Sequence, residues 1–407
     1  MYAIRILIAI TVSLLFLNGL SRADDADDMV LPARLPPPVL EQQGEFSSLS
    51  LPSGDAFVMA GASGTTLNEV DILFLYADDA IRLYGSVAAV QNRINTMVNT
   101  ANTAFSNSGV NVHINNVAQT QIYYDNANIT STAFGHLTNK SHPAFSQVNQ
   151  WRMQTHADVV VLLRPRKGDT AVCGKAYLNG GGLANPETTF WTMGGYAYAH
   201  VYMNCYDFVL AHELGHLMGL IHSRSENFSR PYAYGAGYRI DNDFSTTMAS
   251  TKAYNPPPPT LPVPYFSSPL LTCTGYSGVP KPCGIDSSLS NGADAVQAIN
   301  NIAAQLPKFS DDSDADGMPD WFEHFWGLNR FNAADANTDA DNDGLSNLAE
   351  FYAESYAKPI VGLSSTSDTD GDGVLDGLDP FPTITGSPVL ELNGVYTGSN
   401  IHDSQHP

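Results

Sequence analysis

Apolar positions along this chain come in two spacings that alternate from residue 70 onward. The run "VDILFLY" (70–76) is continuously apolar, the mark of a strand covered on both faces. In "SVAAVQNRINTMVNTANTAFS" (86–106) the apolar residues recur three and four apart, which predicts a helix with one buried stripe. The strand pattern returns in "VNVHINNVAQTQIYY" (110–124), residues 142–155 have helical spacing, and "ADVVVLLRP" (157–165) predicts a central strand. "AVCGKAYL" and "AYAHVYMN" predict further strands separated by Gly-rich turns, and "AHELGHLMGLIHS" (211–223) is the helix after the last of them. Strands alternating with helices predict an α/β (α+β) domain with a mixed sheet. Beyond that helix, "PYAYGAGYRIDNDFSTTMAS" and "NPPPPTLPVPYFSSP" exclude regular structure through their prolines, while their aromatics predict a compact lobe. A last helical run, "GADAVQAINNIAAQL" (292–306), closes a domain spanning 68–308.

The flanks differ from this domain. Arg5, the apolar residues 6–17 and the small-residue site at Ser21, Arg22 and Ala23 predict an export signal over 1–23. The apolar run is shorter than the about 20 residues that span a bilayer, and no later segment is longer, so a secreted protein without a membrane span is expected. Residues 24–67 are polar and Pro-rich, as in a pro-segment or leader. Cys173, Cys205, Cys273 and Cys283 suit an oxidising compartment and match no zinc ribbon; Cys173–Cys205 and Cys273–Cys283 are the expected pairs among the three connectivities possible.

The net charge is −22, and it is concentrated: 17 of the 41 acidic residues fall between positions 311 and 379, against Arg330 and Lys358 as the only Lys or Arg there. Such a block repels nucleic acid and anionic membranes, and marks a disordered tail or a cation-binding module. Aligned on glycine, "DSDADGMPDWFE", "DADNDGLSNLAE" and "DTDGDGVLDGLD" superimpose, and the first two fit the calcium-loop pattern D-x-[DN]-x-[DN]-G-x5-E. Positions 1, 3, 5, 9 and 12 are Asp312, Asp314, Asp316, Asp320 and Glu323 in the first copy. They are Asp339, Asp341, Asp343, Asn347 and Glu350 in the second, and Asp368, Asp370, Asp372, Asp376 and Asp379 in the third, which ends one methylene short. Gly317, Gly344 and Gly373 make the sharp turn. The set resembles the thrombospondin type 3-like and EF-hand-like repeats of secreted bacterial proteins. That resemblance implies about three structural Ca2+ ions over 309–382, followed by a tail over 383–407.

In "HELGHLMGLIH" the chemistry is set by spacing. His212 and His216 lie one turn apart on the same helical face and can share a zinc ion. Gly219 can adopt the left-handed conformation that ends a helix and brings His222 round as third ligand. Three ligands leave the fourth position to water, the arrangement of a catalytic zinc, and Glu213 is placed to act on that water as general base. These residues resemble the metzincin zinc endopeptidases, which also carry a methionine in a tight turn beneath the metal; Met248 in "STTMAS" matches it. "CGKAY", a cysteine just before the active helix and "PYFSSP" are similar to the reprolysin (adamalysin-like) branch, over roughly residues 68–308. Ser223 follows the third histidine where reprolysin-like enzymes commonly have Asp; matrixins have Ser there, but no cysteine precedes Cys173 to serve as their pro-segment switch. The remaining histidines lack such spacing and are expected in surface or structural roles.

The sequence therefore predicts a secreted one-zinc endopeptidase acting on proteins or peptides, with a calcium-loaded module that offers contact with a cell surface or matrix. The rival is a calcium-dependent adhesion or matrix protein with a silent peptidase domain; the intact Glu213 and histidines argue against it. The segment after the zinc helix, which the resemblance makes a wall of the primed-side pocket, carries Arg224, Arg230 and Arg239. The resemblance to bacterial peptidyl-Asp metalloendopeptidases, which combine the metzincin motif with cleavage before Asp, implies a preference for Asp or Glu on the primed side. Arg239, among the aromatics and glycines of "YGAGYRI", is the expected partner of that acid.

Overall fold

The computed structural model describes residues 67–125, 127–166, 173–226, 228–249, 260–341 and 344–353. The expected signal, the leader up to residue 66, Asp343, the third acidic loop (Asp368 to Asp379 by its five positions above) and the tail lie outside the described residues. Among the described residues the main sheet has five strands: β1 (Asn68–Ala77), β2 (Val112–Ile122), β3 (Val159–Arg164), β4 (Gly174–Ala176) and β5 (Tyr198–Tyr202). Their order is β2-β1-β3-β5-β4, parallel except for the antiparallel edge pair β4 and β5.

Helices cover both faces of this mixed sheet, which is why β1 and β3 are so uniformly apolar. Ile72, Phe74, Val161 and Leu163 face one core, shared with α2 (Val87–Ser108) and α6 (Val209–Leu217). Leu73, Leu75, Val160 and Leu162 face the other, shared with α3 (Thr130–Thr138) and α4 (Val148–Thr155). In α2 the buried stripe is Val90, Ile94, Met97, Ala101, Ala104 and Phe105; Ser86 Oγ caps its start on Ala89 N at 3.1 Å, and Gly109 ends it with φ of 72°.

Two helices form that the spacing did not predict, and one expected helix is divided. The predicted strand 70–76 runs straight into a short helix, α1 (Asp78–Tyr84), which begins with Asp78 and Asp79, acids that favour a helix start. The 142–155 segment splits into a 3-10 turn at Pro143–Phe145 and then α4, because proline suits only a first helical turn. The helix α3 forms from a Thr- and Gly-containing stretch of poor propensity, held by burial of Ala133, Phe134 and Leu137.

Both cysteine pairs form, with Cα–Cα distances of 5.8 Å for Cys173–Cys205 and 5.2 Å for Cys273–Cys283. The helix α5 (Pro186–Thr189) leads into a 3-10 segment, Phe190–Tyr196, before β5. The expected closing helix is α7 (Ala295–Ile302), extended by a 3-10 segment to Lys308. After it, α8 (Asp320–Trp326) and α9 (Asn347–Ala353) enclose a small core of Met318, Phe322, Ala336 and Phe351. No helix among the described residues is long and apolar enough to cross a membrane.

Candidate active site

All nine residues of α6 are buried, and the helix places His212 and His216 one turn apart. Gly219, with φ of 84°, then reverses the chain: its N–H donates to His216 O at 2.9 Å and that of Leu220 to Gly215 O at 3.0 Å. Residue 221 is bonded into the following lobe through Gly235 O and Gly237 N, which fixes His222 beside the other two. The ligand-capable nitrogens of His212, His216 and His222 lie within 4.8 Å of one another, and all three residues are buried.

The hydrogen bonds decide which nitrogens face inward. His212 Nδ1 lies 2.8 Å from Thr247 O, and His216 Nδ1 lies 2.8 Å from Leu220 O. A carbonyl can only accept, so both Nδ1 atoms carry the proton and both Nε2 atoms present lone pairs. Those two Nε2 atoms stand 3.2 Å apart. Two acceptors at that distance have no proton to share, because burial holds His212 down to about 3 and His216 well below the usual imidazole range, with the neighbouring His222 adding to both. The Nε2 atom of His222 is buried with no hydrogen-bond partner in the protein. A cation on the three Nε2 atoms satisfies every one of them, and neutral imidazoles with anchored Nδ1 atoms are the donor set that zinc takes.

The third anchor was not visible in the sequence pattern. Glu226 accepts from His222 Nδ1 at 2.8 Å through one oxygen and from His222 N at 3.0 Å through the other. The relevant signal is its place four residues after His222, but that stretch is a turn rather than a helix. Glycines supply the remaining fit. A Cβ at Gly215 would collide with Met248 Sδ, so the buried methionine packs directly under the helix between the two histidines. A Cβ at Gly237 would fall 2.6 Å from His222 O, so the histidine segment and the methionine turn meet only across a glycine. A Cβ at Gly174 in β4 would collide with the carboxylate of Glu213, which is itself buried.

A family model described as metallo-peptidase family M12B, reprolysin-like, matches residues 66–264. A peptidyl-Asp metalloendopeptidase of Pseudomonas aeruginosa is 28% identical over 269 residues, covering 62% of this chain and 42% of that protein. One from Stenotrophomonas maltophilia is 28% identical over 286 residues, covering 69% and 62%, and one from Xanthomonas campestris pv. campestris is 28% identical over 274 residues, covering 65% and 59%. The chain thus spans less than two thirds of the length of each of these relatives.

In the matched region the three arginines after α6 already have partners. Arg224 donates to Ser290 O at 2.7 Å, and Arg230 to the carbonyls of Phe228 and Ala233 at 3.0 and 3.1 Å. Arg239, largely buried, pairs with Asp241 Oδ1 through Nε at 2.9 Å and Nη2 at 2.8 Å.

The described parts of the first two acidic loops share the same glycine turn. Gly317 N donates to Asp312 Oδ2 and Gly344 N to Asp339 Oδ2, each at 2.9 Å, and the two glycines have φ of 98° and 105°. The carboxylates of Asp312, Asp314 and Asp316 lie within 4.8 Å of one another, and so do those of Asp316, Glu323 and Asp335. Asp335 belongs to neither loop pattern. The ninth positions brace the loops: Asp320 accepts from Ser313 N at 2.8 Å and Arg330 Nη1 at 2.9 Å, and Asn347 Oδ1 accepts from Ala340 N at 3.2 Å. Burial, then the nearby Asp316 and Asp314, push the Glu323 carboxyl up to about 8 when no cation is bound. Glu350 is also fully buried.

Proposed function

We propose that this chain is a secreted zinc endopeptidase that cleaves proteins or peptides, with a preference for Asp or Glu on the primed side of the bond. The observation that carries the reading is the convergence of three buried Nε2 atoms whose Nδ1 partners are all anchored on acceptors. His212, His216 and His222 would hold the zinc, which supplies Lewis acidity toward a peptide carbonyl and the attacking water. Glu213 takes a proton from that water and delivers it to the leaving nitrogen. Gly174 leaves room for the Glu213 carboxylate, and Met248 packs under the helix that carries Glu213, His212 and His216. The acidic preference rests on the name shared by the relatives and on Arg239, whose guanidinium would have to share or exchange Asp241 for a substrate carboxylate. The acidic loops are read as a calcium module of about three ions. Residues 1–23 are read as its export signal, 24–67 as its leader, 68–308 as the peptidase, 309–382 as the repeats and 383–407 as the tail.

The test is a cleavage profile of a complex peptide mixture together with Glu213→Gln. Glu213→Gln should retain zinc and lose turnover by about 10²- to 10⁴-fold. Near-wild-type turnover would remove Glu213 as the base. A profile dominated by Leu or Phe on the primed side would remove the acidic preference.

A further inference from the structure

Glu323 is fully buried, and neither of its carboxylate oxygens meets a hydrogen-bond donor. It points into the group it forms with Asp316 and Asp335, and Asp316 is shared with Asp312 and Asp314. Asp335 arrives from outside the loops, on a 3-10 turn between them. Its Oδ2 accepts from Asn329 N at 2.8 Å, whereas Oδ1 is buried and meets no donor. Converging buried carboxylates without donors are unfavourable unless a cation sits among them. An all-carboxylate set with a flexible loop suits Ca2+ better than Mg2+, which demands strict octahedral geometry and keeps its waters.

The helix that carries Glu323 also carries Trp321, and Trp321 lies on the peptidase. Its indole sits so close to the 3-10 segment Phe190–Tyr196 that a Cβ at Gly194 would be 2.9 Å from Cγ, and one at Gly195 would be 2.8 Å from Cζ3. The buried Arg152 ties the same place together, donating to Gly194 O at 2.8 Å and Phe309 O at 3.2 Å, with its guanidinium 5.7 Å from the Trp321 ring. From Tyr196 the contacts continue inward: Asn179 Nδ2 donates to Tyr196 O at 3.5 Å, and Asn179 N donates to His216 O at 3.3 Å.

We propose that a calcium ion held by Asp312, Asp314, Asp316, Glu323 and Asp335 fastens α8 to the peptidase, so that Trp321 holds the Phe190–Tyr196 wall against the zinc helix. This rests on the reading of the loops as calcium sites and of the domain as a zinc peptidase. Calcium then acts on the peptidase from within the chain, through a ligand that the loop pattern does not contain.

The experiment uses the full chain, stripped of metal, reloaded with zinc and titrated with calcium chloride. Hydrogen exchange is followed in peptides covering 312–323 and 190–196, and zinc content is measured throughout. In the wild type, calcium should protect both peptides together. Asp335→Asn, which keeps the bond from Asn329 N, should raise the calcium needed for half-protection by about tenfold or more in both peptides, with zinc content unchanged. Trp321→Ala, and in milder degree Trp321→Phe, should leave protection of 312–323 intact and remove that of 190–196. Asp312→Asn serves as the control for the loop itself. If Asp312→Asn weakens the response and Asp335→Asn does not, Asp335 is no ligand and the proposal falls while the loop reading stands. If calcium protects neither peptide in the wild type, the calcium reading itself falls. Unchanged protection of 190–196 in both Trp321 variants would overturn the fastening.

Discussion

Removing the Glu226 carboxylate tests whether the third histidine is held for zinc as the other two are. Glu226 accepts two hydrogen bonds from one residue, at 2.8 Å from His222 Nδ1 and 3.0 Å from its backbone N. The first sets the tautomer that turns Nε2 toward the metal, and the second pins the turn itself. In Glu226→Ala both are lost and His222 can rotate or swap its proton. Loss of such an anchoring partner weakens metal binding by about 10- to 100-fold, which corresponds to about 1.4 to 2.7 kcal/mol. The Glu226 side chain is 20% exposed, so water can replace part of what is removed and the lower half of that range is expected. Glu226→Gln should fall between: its carbonyl oxygen can still accept from Nδ1, but its amide would face the His222 N–H donor to donor. The assay is competition for zinc with a fluorescent chelator at neutral pH, with kcat/KM measured separately at saturating zinc. Activity should recover largely when zinc is saturating, because Glu226 acts through His222 Nδ1 and N, on the side of the ring away from Nε2. Zinc affinity equal to wild type in Glu226→Ala would refute the reasoning, and with it the view that the turn after Gly219 needs its own anchor.

Two further substitutions probe other links. Gly174→Ala would place a Cβ against the Glu213 carboxylate, displacing the base without touching a ligand; kcat should fall by about 10²-fold with zinc stoichiometry unchanged, and an unaltered kcat would show that Glu213 has room to spare. Asp158, buried, is raised to about 7, first by desolvation, and outweighs the bonds it accepts from Asp71 N and Ser310. Between its unfolded value near 4 and about 7 the folded state binds the extra proton, so this group's contribution falls as pH rises through that window. Asp158→Asn should therefore gain in Tm relative to wild type from pH 4 to 7, and a pH-independent difference would contradict the assignment.

What the sequence made legible is what depends on short-range geometry. The strands β1 and β3 and the helix α2 follow from apolar spacing alone, and the histidine site follows from one helical turn plus a glycine that can take positive φ. Met248 and the disulfide pairs came from resemblance and from counting, and the structure places Met248 under Gly215 and forms both pairs. Arg239 was singled out by its neighbours in sequence, and the structure pairs it with Asp241, two residues on, a contact that composition could not reveal. The helix α3 escaped because its stability is lent by the sheet beneath it. Glu226 and Asp335 escaped for one shared reason. Each acts on a group its own segment does not contain by pattern: Glu226 closes a turn rather than a helical face, since Glu226 N bonds to Ser223 O at 3.1 Å. Asp335 reaches Glu323 only because the chain doubles back between α8 and α9. A repeat motif fixes the carboxylates that lie within one loop, whereas the path between repeats decides which further carboxylate completes the shell. It follows that the two intact loop patterns need not bind alike. The first recruits Asp335 and meets the Phe190–Tyr196 wall through Trp321, whereas α9, at the end of the second, meets α4 through Asn149 Nδ2 and Phe351 O at 2.7 Å, so loss of the first should be the one felt along the wall that leads to His216.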